Sequence, residues 1–133
     1  MTRVNAGLDP KTLKRMHLLA ELREITMVPA SLARSLRTKS QSAVLKSIPA
    51  TFTLNTGHVK FFYNKLTFLV NRFDLLADEM ERRGYSPDRG RKKAFDGFAE
   101  SFYNNWTPTD AANTLITKRI ELRISQKPHL YED

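Results

Sequence analysis

Apolar residues recur at helical spacing in three stretches of this chain, and only a weak strand pattern appears, at Ala50 to Leu54. The first helical stretch opens behind Leu8-Asp9-Pro10. There Asp9 can cap the free amides, and Pro10 suits the first helical position. Leu13, Met16, Ala20, Ile25, Val28, Leu32 and Leu36 follow at roughly helical intervals. Pro29 falls inside this pattern and is expected to bend or split the helix, because it has no amide proton and crowds the carbonyl one turn back. From Lys39 to Asn55 the signals fade into a loop containing Pro49.

The second stretch predicts a helix from about His58 to Arg83. Phe61, Phe62, Leu66, Leu69, Phe73, Leu76, Ala77 and Met80 form its apolar face, with Lys65 lying within that face. Gly84 supplies the left-handed residue that ends it. Residues 85–106 read as irregular and hold a basic cluster (Arg89, Arg91, Lys92, Lys93) and aromatics including Phe95, Phe98, Phe102, Tyr103 and Trp106. A third helix begins at Thr107-Pro108-Thr109-Asp110, where either threonine can cap it. It runs through Ala112, Leu115, Ile116, Ile120 and Ile124 and stops before Pro128. The pattern predicts an all-α fold: a compact single domain, residues 1–133, of three main helices joined by irregular loops.

Composition narrows the function. An apolar fraction of 41% in 133 residues supports one modest core. No apolar run is long enough to span a bilayer, and the first residues lack the apolar stretch of a signal peptide. A soluble, cytoplasmic protein with no membrane partner is expected. The absence of cysteine excludes disulfides and thiol chemistry. The scattered His17, His58 and His129 form no paired metal-binding motif. Twenty-two Lys and Arg against fourteen Asp and Glu leave a net charge of +8. Such a balance suits a nucleic-acid partner, since phosphate neutralisation releases counterions, although a basic surface also suits an anionic membrane or an acidic protein.

Three clusters could carry chemistry. His17, Glu21 and Glu24 are spaced four and three apart and fall along one side of the first helix, with Arg23 beside Glu24. A carboxylate among cations can act as acid, base or electrostatic stabiliser. A solvated face with ordinary ion pairs is the simpler reading. Arg119, Arg123 and Lys127 recur every four residues on the third helix, broadened by Lys118. That stripe can follow a phosphate backbone, or it can be a solvated face partly neutralised by Glu121. Asp74, Asp78 and Glu81 could hold a divalent ion, as in a metal-dependent nuclease, but ion pairs with Arg72, Arg82 or Arg83 are the stronger expectation. Phe61, Phe62 and Tyr63 are expected in the core rather than as stacking platforms.

Three segments in order carry a more specific signal: Met1-Thr2-Arg3-Val4-Asn5, then His17-Leu18-Leu19-Ala20-Glu21-Leu22-Arg23-Glu24, then Thr51-Phe52 with Gly57-His58-Val59-Lys60-Phe61-Phe62-Tyr63-Asn64-Lys65-Leu66. Together they resemble the phage pyrimidine-dimer DNA glycosylases, the endonuclease V type of T-even phages. The likeness extends through Arg82-Arg83-Gly84-Tyr85, weakens over 86–106 and resumes from Arg119 to Pro128. The resemblance implies a DNA repair glycosylase with an associated lyase activity, in a bacterial or phage-infected cell. It implies removal of the initiator methionine, attack by the Thr2 amine on the sugar carbon, a Schiff base and β-elimination, with a glutamate, here Glu24, essential. It also implies DNA contacts for Arg3, His17, Arg23, Arg119 and Arg123, and Lys127 extends the same stripe. A monomer working on damaged double-stranded DNA, without metal or cofactor, is expected.

Physical chemistry agrees with that scheme. An α-amine titrates near about 8, so a usable fraction is neutral at pH 7. Neighbouring Arg3 and Arg23 would disfavour a further positive charge. The chain departs from the family pattern at Met16, where glutamine is common, and at Met27, where arginine is common. Its C-terminal end is reduced to His129-Leu130-Tyr131-Glu132-Asp133. Dimers of pyrimidines are the first substrate expected; another damaged base, or DNA binding without catalysis, stands as the alternative.

Overall fold

Each long helix of this protein starts and stops where its backbone chemistry requires. The computed structural model describes residues 3–131, and its regular elements are all helical. Six α-helices are formed: α1 (Arg15–Ile25), α2 (Met27–Thr38), α3 (Gln41–Lys46), α4 (His58–Phe61), α5 (Leu66–Arg82) and α6 (Asp110–Gln126). Short 3-10 turns at Pro10–Thr12, Arg89–Phe95, Glu100–Phe102 and Pro128–Tyr131 link or end them.

The first predicted stretch is split, and the split precedes Pro29. α1 ends at Ile25, four residues before the proline, which is the carbonyl that a proline ring crowds. Pro29 then sits buried in the first turn of α2, where its missing amide costs no hydrogen bond. Asp9 caps as expected, by accepting from the Lys11 amide, but Pro10 opens a 3-10 turn rather than α1 itself. The stretch expected as a loop holds α3, capped by the Ser40 hydroxyl on the Ala43 amide. No strand forms at 50–54.

The second stretch is also divided. Between α4 and α5 the Lys65 ammonium reaches back to the Phe61 carbonyl at 2.9 Å and lies 3.8 Å above the Phe61 ring. Burial lowers its pKa. This satisfies a helix-end carbonyl and lets the chain turn before α5 begins. α5 ends as predicted: Gly84 has φ 93°, its amide bonds the Glu81 carbonyl, and the Tyr85 amide bonds that of Met80. α6 is capped by Thr109 rather than Thr107.

The core runs along α5. Leu66, Leu69, Phe73, Leu76 and Ala77 are fully buried and face Leu18, Ile25, Val28 and Leu32 from α1 and α2. Phe61, Phe62 and Tyr63 are core residues, as expected. Of the aromatics between 85 and 106, Phe95, Phe98, Phe102, Tyr103 and Trp106 belong to the core or pack against it. Phe95 and Phe102 are buried, and Trp106 stacks on Phe52 with centroids 5.8 Å apart. These rings therefore build the domain and do not offer a platform to a ligand.

Buried ions tie the elements together. Glu21 of α1 takes two hydrogen bonds from Arg72 of α5, at 2.8 and 2.9 Å, with both side chains almost wholly buried. Glu79 takes Arg82 and Arg83, and Arg83 also donates to the Pro10 and Leu13 carbonyls, fastening the chain ahead of α1. The acids expected to pair with Arg72, Arg82 or Arg83 use other cations, because those arginines are committed to Glu21 and Glu79. Asp78 and Glu81 bond Arg89, and Asp74 bonds Lys92.

Two stability predictions follow from these ions. Replacing Arg72 by Leu strands the Glu21 carboxylate in the interior and should cost about 3–5 kcal/mol, read from urea unfolding. Hydrogen bonds from Arg82, the largest cause, and from Arg83 hold the Glu79 carboxyl down from 4.5 to about 2. Its stabilisation is complete above about pH 4.5 and fades as pH falls through about 2. Glu79→Gln should therefore lower stability at pH 6 and flatten the acid limb of a Tm-against-pH curve.

Candidate active site

A cleft of about 200 Å³ opens between α1, α6 and the extended chain ahead of α1. Met16, His17, Ala20, Glu21 and Glu24 line it from α1, and Ile116, Arg119, Ile120 and Arg123 line it from α6. Arg3 and Asn5 form its inner edge, and Tyr131 closes one side. Helical spacing explains the α1 wall: residues 17, 20, 21 and 24 share one face. The α6 wall follows equally, with Ile116 and Ile120 packed inward and Arg119 and Arg123 beside them.

The leading segment is held by side chains from four elements. The Val4 amide donates to His58 Nε2 at 2.9 Å. The Asn5 amide and side chain both donate to Glu21, at 3.2 and 2.8 Å. The Gly7 amide donates to Asn113 at 2.8 Å, and Arg72 donates to the Leu8 carbonyl. Gly7 has to be glycine, since a Cβ there would lie 2.8 Å from the Pro108 ring. Ala6 adopts φ 49°, a left-handed conformation that a non-glycine residue keeps only where its surroundings fix it. Its methyl is buried against Ala112 and Ile116.

Positive charge converges on the cleft. The Arg3 guanidinium is pulled down to about 10, first by burial and then by the like charges of Arg119 and Arg123, while Glu24 opposes the shift. Arg119, Arg123 and Glu24 are thus all close enough to act on Arg3. Three cations around a half-buried carboxylate make a receptor for a phosphodiester next to an acid–base group. His17 stacks on Tyr131 with centroids 4.4 Å apart and planes 12° from parallel.

Of the residues singled out in the sequence, the cleft gathers Arg3, His17, Glu24, Arg119 and Arg123. Arg23 is exposed and does not line it. Lys127 leaves the stripe, because α6 ends at Gln126 and Lys127 is its C-cap, outside the cleft wall. Lys118 and Glu121 lie on another side of α6, with Thr114 and Thr117. Thr2 lies outside the described residues, one peptide bond from Arg3. Glu21 corrects the expectation of a solvated face: it is 1% exposed and bound to Arg72 and Asn5. His58, Asn5 and Tyr131 received no role from the sequence. His58 lay inside the motif that carried the resemblance, but its partner Val4 is 54 residues away.

Among the described residues, fold and cleft together define an all-helical protein with a cation-lined cleft bordered by the segment ahead of α1. Residues 1–93 match the family model for pyrimidine dimer DNA glycosylase, and the chain belongs to that family. The match ends ahead of α6, so the Arg119 and Arg123 wall is an independent observation. Asp74, Asp78 and Glu81, weighed as a metal site, lie on α5 outside the cleft lining and are held in ion pairs with Arg89 and Lys92.

If the arginine wall grips the DNA backbone, Arg123→Ala should weaken binding to duplex DNA. It should also reduce the magnitude of the slope of log K against log salt by about 0.9, the share of one phosphate. An unchanged slope in a salt titration would place the wall away from the backbone.

Proposed function

We propose that this protein excises pyrimidine dimers from double-stranded DNA and then nicks the strand, using the amine of Thr2 as nucleophile. The carrying observation is that Arg3, adjacent in the chain to Thr2, lines the same cleft as Glu24, Arg119 and Arg123. Family membership supports the substrate and the glycosylase step.

The steps suit the residues present. The neutral amine of Thr2 adds to C1′ of the damaged nucleotide, and the C1′–N bond to the base breaks. Guanidinium groups around the cleft disfavour a further positive charge and so favour the neutral amine. Glu24 stabilises the cationic sugar as the base departs. Loss of the amine proton and opening of the sugar ring give an imine. Glu24 can then accept a proton from C2′, and the 3′ phosphate leaves by β-elimination. Arg3, Arg119 and Arg123 hold the flanking phosphates. Reaching a base within a duplex requires the DNA to be kinked or a nucleotide to be flipped.

Borohydride trapping tests the scheme, since it reduces an imine to a permanent protein–DNA link. Protein beginning at Thr2 should trap on duplex DNA carrying one thymine dimer, and acetylation of its N-terminus should abolish the product. Trapping that survives acetylation would overturn the amine mechanism. Trapping on an abasic site but not on a dimer would redirect the search to another damaged base. Glu24→Gln should keep DNA affinity while cleavage falls by about 10²–10⁴-fold. A near-normal single-turnover rate would remove Glu24 from the chemistry.

A further inference from the structure

We infer that His58 is a positioning residue for the reaction: as a neutral imidazole it holds the Val4 amide and so sets where the N-terminal amine starts from. This rests on the proposed role of Thr2.

The protonation state follows from the two partners alone. The Val4 N–H can only donate, so the His58 Nε2 that meets it at 2.9 Å must accept and carries no proton. The Thr53 carbonyl can only accept, so the Nδ1 that meets it at 2.8 Å carries the proton. An imidazolium would face the Val4 amide donor to donor. The environment keeps the ring neutral. His58 is 2% exposed and ringed by Phe52 and Phe62, with Arg3 and Arg119 opposing a further charge and Glu21 favouring one. Burial, the largest cause, takes its pKa to about 4 despite the Thr53 hydrogen bond.

The hold is specific to the leading segment. His58 begins α4, and Gly57 before it packs so tightly on Pro49 that a Cβ would approach the ring to 2.9 Å. The imidazole is therefore a rigid post, fixed on one side to Thr53 and on the other to the backbone two residues after Thr2. Glu21 fixes the next amide from the opposite element. Two consecutive amides held by side chains of α4 and α1 leave Arg3 as the point where the chain enters the cleft. A nucleophile displaced by about 1 Å can lose about a hundredfold in rate.

The test compares His58→Asn with His58→Gln in protein beginning at Thr2. Asn can keep the Thr53 contact but offers nothing at the Nε2 position; Gln places an amide oxygen near it. Three readouts are taken: affinity for DNA carrying a reduced abasic analogue, the single-turnover rate of borohydride trapping on abasic DNA, and Val4 amide hydrogen exchange by NMR. Expected for His58→Asn are affinity within about threefold of wild type, trapping slowed by about a hundredfold, and faster Val4 exchange. His58→Gln should recover much of the trapping rate. Long-range nitrogen NMR of the wild type should show the proton on Nδ1 at pH 7.

Normal trapping by a folded His58→Asn protein would overturn the role, as would a proton found on Nε2. Losses in trapping that merely match losses in affinity would also overturn it, by marking a general structural effect. If wild-type trapping ignores N-terminal acetylation, the amine mechanism fails and this role fails with it. In that case Val4 exchange would still respond to His58→Asn, which separates the two failures.

Discussion

The carboxylate of Glu21 is the point on which this architecture turns. It is almost fully buried on α1, and it is met by Arg72 from α5 and by Asn5 from the leading segment. An ion pair removed from water repays its desolvation only when its geometry is good and its remaining hydrogen-bond capacity is filled. Here both oxygens are engaged twice: one by Arg72 Nε and the Asn5 amide, the other by Arg72 Nη2 and the Asn5 side chain. Arg72 spends its remaining reach on the Leu8 carbonyl. One charge pair thereby fixes α1 on α5 and both on the segment that borders the cleft. Apolar packing could join the two helices, but it could not orient a backbone amide.

That commitment also divides the labour between two carboxylates one turn apart on the same helix. Glu21 is neutralised by Arg72, so it adds little net charge to the cleft beside it. Glu24 faces the cleft half buried, within range of Arg3. Burial first, and then the like charges of Arg119 and Arg123, lower the Arg3 pKa there. A bound anion would offset that like-charge repulsion.

Much of this was legible in the sequence, and the failures have identifiable causes. The signals that succeeded are local. Gly84 ends α5 in the left-handed conformation, Thr109 caps α6, and Pro29 divides the first stretch. Pro29 acted at Ile25 because the clash lies one turn upstream, so the boundary fell earlier than the proline itself. The six-residue α3 was missed because it is too short to display a period, although Ser40 gives it a proper cap. The break after Phe61 escaped notice because the residue that enables it, Lys65, resembles a polar interruption of an amphipathic helix. At the cleft, spacing on α1 and α6 correctly grouped His17 with Glu24 and Arg119 with Arg123. It could not tell Glu21 from Glu24, since the difference is made by Arg72, 51 residues away. Lys127 kept the period of the stripe after the helix had ended.

Chain ends are ordinarily the least ordered part of a domain, since fixing each backbone residue costs about 1–2 kcal/mol of entropy. The proposed reaction of an N-terminal amine would therefore ask the most of the part of a protein least able to supply precision. This fold buries residues 4–6 and ties down the backbone from 4 to 8. Val4, Asn5 and Ala6 are buried, four elements contribute side chains to their backbone, and Ala6 is held in a conformation it would not choose alone. The order imposed on the segment comes from α1, α4, α5 and α6 together, so it can form only when the whole domain has folded. The same requirement explains why the holding groups are His58, Glu21, Arg72 and Asn113, which are scattered in sequence and share no spacing. Position is supplied by the tertiary structure, and the proposed nucleophile needs nothing more elaborate than the start of a polypeptide.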